Sequence, residues 1–156
     1  MIMLKQWCTR AGAVLAMTTA TLYIPFAFAT GTPPPSSAGV AVCPSQNFDG
    51  FLERFANDVA VQKAFVSTPL RNEFIDPEAQ PEPRPVSELL DKARLEFPLM
   101  PSEKQQHDEG LTLEKKLTAP DQAMIRLTKA DTGYQRSLFF KREACWRLYR
   151  IQDDSL

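Results

Sequence analysis

Four large apolar residues recur with helical spacing soon after residue 45. They occupy the i, i+3, i+4 and i+7 positions that line one face of a helix, and they are Phe48, Phe51, Leu52 and Phe55. Ser45 or Asn47 is the candidate N-cap of this helix. Asp58 is the candidate cap of a second, short helix over 59–66, which Pro69 ends.

The end of the chain alternates apolar and polar residues in three strand-length runs, 122–130, 134–141 and 145–152. We pair Lys141 with Cys145, and Asp131 with Tyr134, which makes two tight hairpins. Both hairpins turn one apolar set to the same face, and a one-residue slip would expose it. This predicted buried set is Ile125 and Leu127 on the first strand, Phe140 and Leu138 opposite them, and Trp146 and Leu148 on the last strand.

The middle of the chain is less regular. Residues 71–85 contain four prolines and four acids, which predicts an extended or irregular connection. Residues 86–97 fit either an edge strand or a short helix capped by Ser87. The helix is slightly favoured because one of its faces would carry Leu89, Leu90 and Ala93.

Residues 98–110 are polar and predict a loop, whereas 111–118 alternates cleanly and predicts a strand. The residues of this strand expected to face inward are Leu111, Leu113 and Leu117. Together the elements predict an α+β fold, with N-terminal helices packed on a curved antiparallel β-sheet.

The start of the chain has the pattern of a signal peptide. Lys5 and Arg10 precede an apolar run over 11–28, which ends in an A-x-A cleavage pattern before Thr30. An uncleaved membrane anchor is the alternative, since the run is nearly long enough to span a bilayer. Cleavage would give a periplasmic or secreted protein without membrane attachment. The expected organisation is a signal peptide at 1–29, a flexible linker at 30–44 and a single α+β domain at 45–156.

Two cysteines, Cys43 and Cys145, remain after cleavage of the leader. Export permits a disulfide, and an even pair of cysteines in a small secreted domain is usually bridged. The alternative is two free thiols. We expect the bridge, which would tie the segment before the first helix to the last strand.

The helical start and the Trp-containing last strand resemble the nuclear transport factor 2-like, cystatin-like superfamily. More narrowly, they resemble exported bacterial proteins of an uncharacterised family. The residues that carry the resemblance are Phe48, Phe51, Phe55, Asp58, Gln62, Pro69, Leu70, Trp146, Leu148, Ile151 and Asp153. The superfamily includes enzymes, ligand carriers and interaction modules, and its members commonly pair sheet to sheet, which would imply a homodimer.

No residue pattern predicts a reaction. His107 is the only histidine and lies in a polar stretch, so neither a metal site nor a nucleophile–histidine pair has its usual residues. We therefore predict no catalytic residue, no metal ligand and no cofactor. Without Lys5 and Arg10 the chain keeps 16 basic side chains against 19 acidic ones, which argues against a nucleic-acid partner.

Two surfaces of the predicted sheet are candidate sites. On the inward face, the predicted registers align Lys129, Arg136 and Arg150 beside Tyr134, which is either an anion-accepting pocket mouth or a solvated rim. On the opposite face, they align Arg126, Phe139 and Arg147 near Tyr149, which has the composition of a protein interface.

These observations favour an exported, non-enzymatic binding or interaction protein whose partner is another protein or a second copy of itself. The alternative is a small-ligand carrier or an enzyme that uses a concave pocket beside Trp146, with an anionic ligand held at the basic rim.

The leader should be cleaved after Ala29. The expected product is a protein that begins at Thr30, and intact-mass measurement of the exported material checks it. A mass that retains residues 1–29, found in the membrane fraction, would establish the membrane anchor instead.

Overall fold

The computed structural model describes residues 41–81 and 83–155. The predicted signal peptide at 1–29 and most of the 30–44 linker lie outside the described residues. The described residues belong to one compact unit, Gly39–Leu156. Within them, no helix combines the length and the apolar character that crossing a membrane requires.

Three α-helices and six strands make up the described fold, and the strands form one sheet in the order β2-β1-β6-β5-β4-β3. The sheet is antiparallel except for the parallel pair β1 and β6. The predicted α+β class, with helices packed on a sheet, is confirmed. In chain order the elements are α1 (Phe48–Asn57), α2 (Val59–Phe65), β1 (Val66–Asp76), β2 (Arg84–Leu90), a 3₁₀ turn (Lys92–Arg94), α3 (Glu103–Asp108), β3 (Leu111–Ala119), β4 (Gln122–Lys129), β5 (Gln135–Arg142) and β6 (Trp146–Asp153).

Side-chain caps fix the two N-terminal helices. Asn47, rather than Ser45, caps α1, since its Oδ1 accepts hydrogen bonds from the backbone N–H groups of Asp49 (2.8 Å) and Gly50 (3.4 Å). Asp58 caps α2 as predicted and accepts from the N–H of Ala60 (2.7 Å). Each cap satisfies donors that the first turn of a helix leaves unpaired.

The apolar face of α1 packs on the inner face of the sheet around Phe140. The ring of Phe140 lies 5.4, 6.0 and 5.3 Å from those of Phe48, Phe51 and Phe55, centroid to centroid. Trp146 completes the cluster, 4.9 Å from Phe48. All five rings are buried. They fill the space between α1 and the sheet.

Gln62 of α2 is a fully buried polar residue whose amide nitrogen and oxygen both have hydrogen-bond partners. Its Nε2 donates to the carbonyl of Met100 (2.9 Å), and its Oε1 accepts from the N–H of Leu99 (2.6 Å). A buried amide without partners would cost free energy, so this pairing holds the segment after β2 against α2.

Three predictions for the middle of the chain are wrong. Residues 71–85 are not simply a connection, because β1 extends to Asp76. The slightly favoured helix over 86–97 is wrong, because residues up to Leu90 form the edge strand that was the alternative: β2 pairs with β1 from Leu70↔Leu90 to Asp76↔Arg84. The loop at 98–110 contains α3, which Ser102 caps through the N–H of Gln105 (3.2 Å). Tertiary pairing and capping decide these elements where the local pattern was ambiguous.

The two predicted hairpin registers are wrong by two residues. Phe140 lies opposite Leu148 and Ala123, rather than opposite Trp146 and Ile125. Because both offsets are even as far as Leu148, the side chains up to that residue keep their predicted faces. The predicted buried set is therefore buried in full: Ile125, Leu127, Leu138, Phe140, Trp146 and Leu148.

Loop geometry explains both offsets. The β4–β5 turn has four residues instead of the predicted two. It is closed by a hydrogen bond from the N–H of Lys129 to the carbonyl of Tyr134 (3.3 Å). Within the turn, Asp131 and Gly133 adopt positive φ angles of 59° and 56°. The Thr132 hydroxyl donates to the Lys129 carbonyl (3.0 Å) and stabilises this wider turn. In the second hairpin Cys145 belongs to the loop, so Arg142 pairs with Trp146.

The strand over 111–118 exists as β3, but two of its three inward leucines are exposed. Leu113 and Leu117 are 36% and 63% accessible, because β3 is an edge strand and α1 presents the charged Asp49 towards it. Lys115, between the two leucines, forms an ion pair with Asp49.

Cys43 and Cys145 are joined in a disulfide that links residues 102 apart in sequence. Two hydrogen bonds run beside it. The Gln46 amide donates to the carbonyl of Ala144 (3.0 Å), and the Trp146 indole N–H donates to the carbonyl of Gln46 (3.0 Å). The segment before α1 is thus fixed to the start of β6.

Removing the disulfide should destabilise the fold strongly. Closing a loop of this length is worth about 4 to 5 kcal/mol on the chain-entropy model, less any native-state strain, so we expect Cys145→Ser to lower the free energy of unfolding by a few kcal/mol. Urea unfolding of oxidised wild type and variant measures the difference. Free-thiol titration of the unfolded, unreduced wild type should find no thiol in the mature chain. Two titratable thiols in exported material would exclude the bridge.

Candidate binding site on the outer sheet face

A β-bulge in the last strand decides which side chains reach the outer face of the sheet. Phe140 pairs with Leu148, but Phe139 pairs with Arg150, so β6 contains one extra residue at Tyr149. A single inserted residue reverses the alternation beyond it. Ile151 therefore turns inward and is buried, while Arg150 joins Phe139 on the outer face.

Because of this bulge, the predicted anion-accepting row on the inner face does not form. Lys129, Arg136 and Arg150 do not form a cross-strand row, because Arg150 is on the other face and Arg136 lies opposite Leu127 and Asp153. Lys129 is exposed at the end of β4. Tyr134 does lie near Arg136: burial raises the pKa of the Tyr134 hydroxyl, while the positive charge of Arg136 acts in the opposite direction.

The predicted interface row on the outer face also has different cross-strand partners from those expected. Arg126 lies opposite Ser137, and Arg147 lies opposite Lys141, so neither flanks Phe139. The guanidinium of Arg147 instead lies 5.9 Å from the ring of Phe65. All these side chains except Phe65 are on the outer face, so the face is as predicted although the partners differ.

One uninterrupted cross-strand row crosses the outer face through Phe139. Its members, from one edge to the other, are Leu89, Arg71, Arg150, Phe139, Met124 and Lys116. The guanidinium carbon of Arg150 lies 3.7 Å from the centroid of the Phe139 ring, which is a close cation–π stack. The row combines three cations with an aromatic and a thioether side chain, and it contains no acid.

Glu73 holds the arginines of this row in place. Its carboxylate lies 3.4 Å from Arg150 and 3.9 Å from Arg71. The Nε of Arg150 is buried and has no hydrogen-bond partner in the described part of the chain. Arg71 and Glu73 were missed in the sequence because Pro69 and the later prolines conceal the strand that carries them.

A shallow basic cleft adjoins the row. β1 advances five positions, from Val66 to Arg71, while β6 advances two, from Leu148 to Arg150, so the two strands separate locally. The resulting cleft has a volume of about 620 Å³. Its lining includes Arg71, Leu89, Lys141, Glu143, Arg147 and Tyr149. Glu143 is engaged by Lys141 (2.6 Å), whose hydrogen bond and charge lower the pKa of that carboxyl.

The predicted concave pocket beside Trp146 is an open cleft of about 420 Å³ at the sheet edge. Phe48, Lys115 and Arg142 contribute to its lining. The indole N–H already donates to Gln46, so it is not free to bind a ligand. The cleft lacks the set of convergent, unengaged polar groups that small-molecule sites usually have.

The described residues offer no assembled metal site. Among residues 41–81 and 83–155, no three His, Cys, Asp or Glu side chains come close enough together to hold a metal ion. His107 projects from α3 with 91% of its side chain exposed, beside Asp108.

Comparison with protein-family models gives no match. Comparison with curated protein sequences gives none either. Among solved structures, the chain is similar to an NTF2-like protein from Bacteroides fragilis, with 19% identity and a TM-score of 0.49. The similarity covers 72% of this chain and 48% of that one, so the chain spans about half the length of the protein it matches.

The basic cleft should bind multivalent carboxylates weakly. Citrate should raise the melting temperature of the wild type more than it raises that of Arg147→Ala, since the variant loses one of the converging cations. Arg84→Ala, on the exposed start of β2, is the matched control for the general effect of citrate on stability. Equal citrate shifts in all three proteins would show that the cleft does not select anions.

Proposed function

We propose that this protein is an exported, non-enzymatic binding protein whose outer sheet face docks a partner protein with an acidic surface. The observation that carries the proposal is the Arg150–Phe139 stack at the centre of a row of cations on a sheet face. Aromatic and arginine side chains are the two classes most enriched at the energetic centres of interfaces.

The filled inner face supports binding on the outside. α1 and α2 contribute Phe48, Phe51, Phe55 and Phe65 to the same core as Phe140. The helices therefore occupy the side of the sheet on which a ligand cavity would have to form. The outer face carries half-buried side chains, including Phe139, Tyr149 and Arg150, and no helix among residues 41–81 and 83–155 packs on it.

The charges of the outer face support an acidic partner. Arg71, Lys116 and Arg150 belong to the central row, and Lys141 and Arg147 extend it along the cleft. Of the nearby acids, Glu73 is engaged by two arginines and Glu143 by Lys141, and Glu114 lies opposite Arg126. A partner that presents carboxylates would meet cations in excess, which favours correct orientation and rapid association.

Export is part of the proposal and rests on two features. The leader pattern precedes the domain, and the Cys43–Cys145 disulfide is compatible with an oxidising compartment.

Affinity capture from envelope extract tests the proposal with paired variants. The mature wild type and Val59→Glu should retain the same partner, whereas Phe139→Glu should lose it. Val59 is an exposed residue of α2, so this control introduces the same charge away from the sheet. Phe139→Glu should keep the fold, because the new carboxylate can pair with Arg150 where the ring stacked before.

The captured protein must then bind in isolation. Calorimetry should show that Phe139→Glu costs about 2 kcal/mol or more of binding free energy, and that wild-type affinity falls as salt is raised. Equal retention of every captured protein by Phe139→Glu and Val59→Glu would exclude the outer face as the docking surface. So would a partner whose binding does not depend on salt.

A further inference from the structure

The edge strand β3 is long, open and partly apolar. It runs for nine residues, pairs only with β4 and leaves its other backbone edge without a strand in the described part of the chain. Its inner side carries Leu113 and Leu117, which are 36% and 63% accessible. A free edge of this kind is a template for a further strand unless something prevents pairing.

The sequence of β3 reads almost the same in both directions about Lys115. When two copies lie antiparallel across a two-fold axis at Lys115, Leu113 faces Leu117 of the other copy on the inner side. Glu114 faces Lys116 on the outer side. Thr112 comes opposite Thr118, which lies at the irregularity in the β3–β4 register between Leu117 and Ala119. Opposite charges, paired threonines and paired apolar residues are each favourable when directly opposite across strands.

Lys115 itself would meet its own copy on the axis, which is ordinarily unfavourable for two like charges. Here each Lys115 is already paired with Asp49 of its own α1. The ion pair neutralises the residue that would otherwise oppose association. It also anchors α1 beside the strand, so the edge is held in place before it pairs.

The other edge of the sheet does not share these properties. β2 has seven residues and includes Pro85, which has no N–H to contribute to a ladder. An antiparallel self-pairing of β2 about Ser87 would place Val86 against Glu88 and Pro85 against Leu89. The complementarity is therefore a property of β3 and not of edge strands in this sheet in general.

We propose that two copies of this chain associate through β3, antiparallel and centred on Lys115, to form one continuous sheet across the dimer. We assign the partner strand to a second copy of the chain because the two halves of β3 are complementary to each other. Binding of an unrelated peptide would not require that match. Lys116 belongs both to β3 and to the outer-face row, whereas Phe139 and Arg150 lie on β5 and β6. Glu114→Lys therefore tests the dimer without altering that row.

Charge reversal on β3 tests the register. Sedimentation equilibrium of the mature wild type should show a monomer–dimer equilibrium. Glu114→Lys and Lys116→Glu should each weaken the dimer roughly tenfold, because each creates like-charge pairs at two symmetric places. The double variant Glu114→Lys/Lys116→Glu should regain most of the lost affinity, and an equimolar mixture of the two single variants should form a mixed dimer.

Two controls separate the edge from other surfaces. Lys92→Glu reverses a charge in the exposed 3₁₀ turn and should leave the dimer unchanged. Melting temperatures of the β3 variants should stay close to that of the wild type, since Glu114 and Lys116 are exposed.

Three results would overturn the proposal. One is a wild type that stays monomeric across the accessible concentration range. Another is a double variant no tighter than either single variant. The third is a dimer that survives every β3 variant but is lost in Phe139→Glu, which would move self-association to the outer face. Loss of the β3 dimer with intact partner capture would leave the proposed function standing.

Discussion

The packing of three phenylalanines of α1 on Phe140 is the constraint on which the rest of the structure depends. The rings of Phe48, Phe51 and Phe55 all lie within 6.0 Å of the Phe140 ring, centroid to centroid, and all three contacts are edge-to-face. Aromatic side chains bury large areas and dominate the energetics of a core. Because α1 is seated so deeply, the inner face is closed, and the charged side of α1 is carried to the sheet edge, where Asp49 meets Lys115.

Side-chain alternation predicted the faces of the strands well and their partners poorly. A strand has a period of two, so an error of two residues in each hairpin left Leu138, Phe140 and Leu148 buried as expected. The turn that caused one error depends on Asp131 and Gly133 adopting left-handed backbone angles. The bulge at Tyr149 was not signalled at all. The bulge changes the difference between the predicted and observed β5–β6 registers from two residues to three. Arg150 therefore lies on the outer face, stacked on Phe139, and not at the predicted anion-accepting rim.

The middle of the chain was beyond local patterns for a different reason. β1 is identified by its pairing with β2 and with β6, and its β6 partners lie far away in sequence, while the prolines of β1 and β2 read as breaks. The exposed leucines of β3 follow the same logic. Alternation turned Leu113 and Leu117 to the inner side correctly, but their burial depended on which face of α1 lay above them. The alternation of residues predicts which face of the sheet a side chain points to, but its burial depends on the elements that pack against that face.

The rigid core and the binding surfaces are linked through the cost of ordering side chains. An arginine that is free in the unbound protein loses rotamer freedom on binding, which reduces the affinity it can supply. Arg150 is already held between the Phe139 ring and the Glu73 carboxylate, so much of that cost is met on folding. Lys115 is held by Asp49 in the same way. In both places an intramolecular contact orients a cation before association. Both cations lie on the sheet that Phe140 packs against α1 and that the Cys43–Cys145 disulfide ties to the segment before α1.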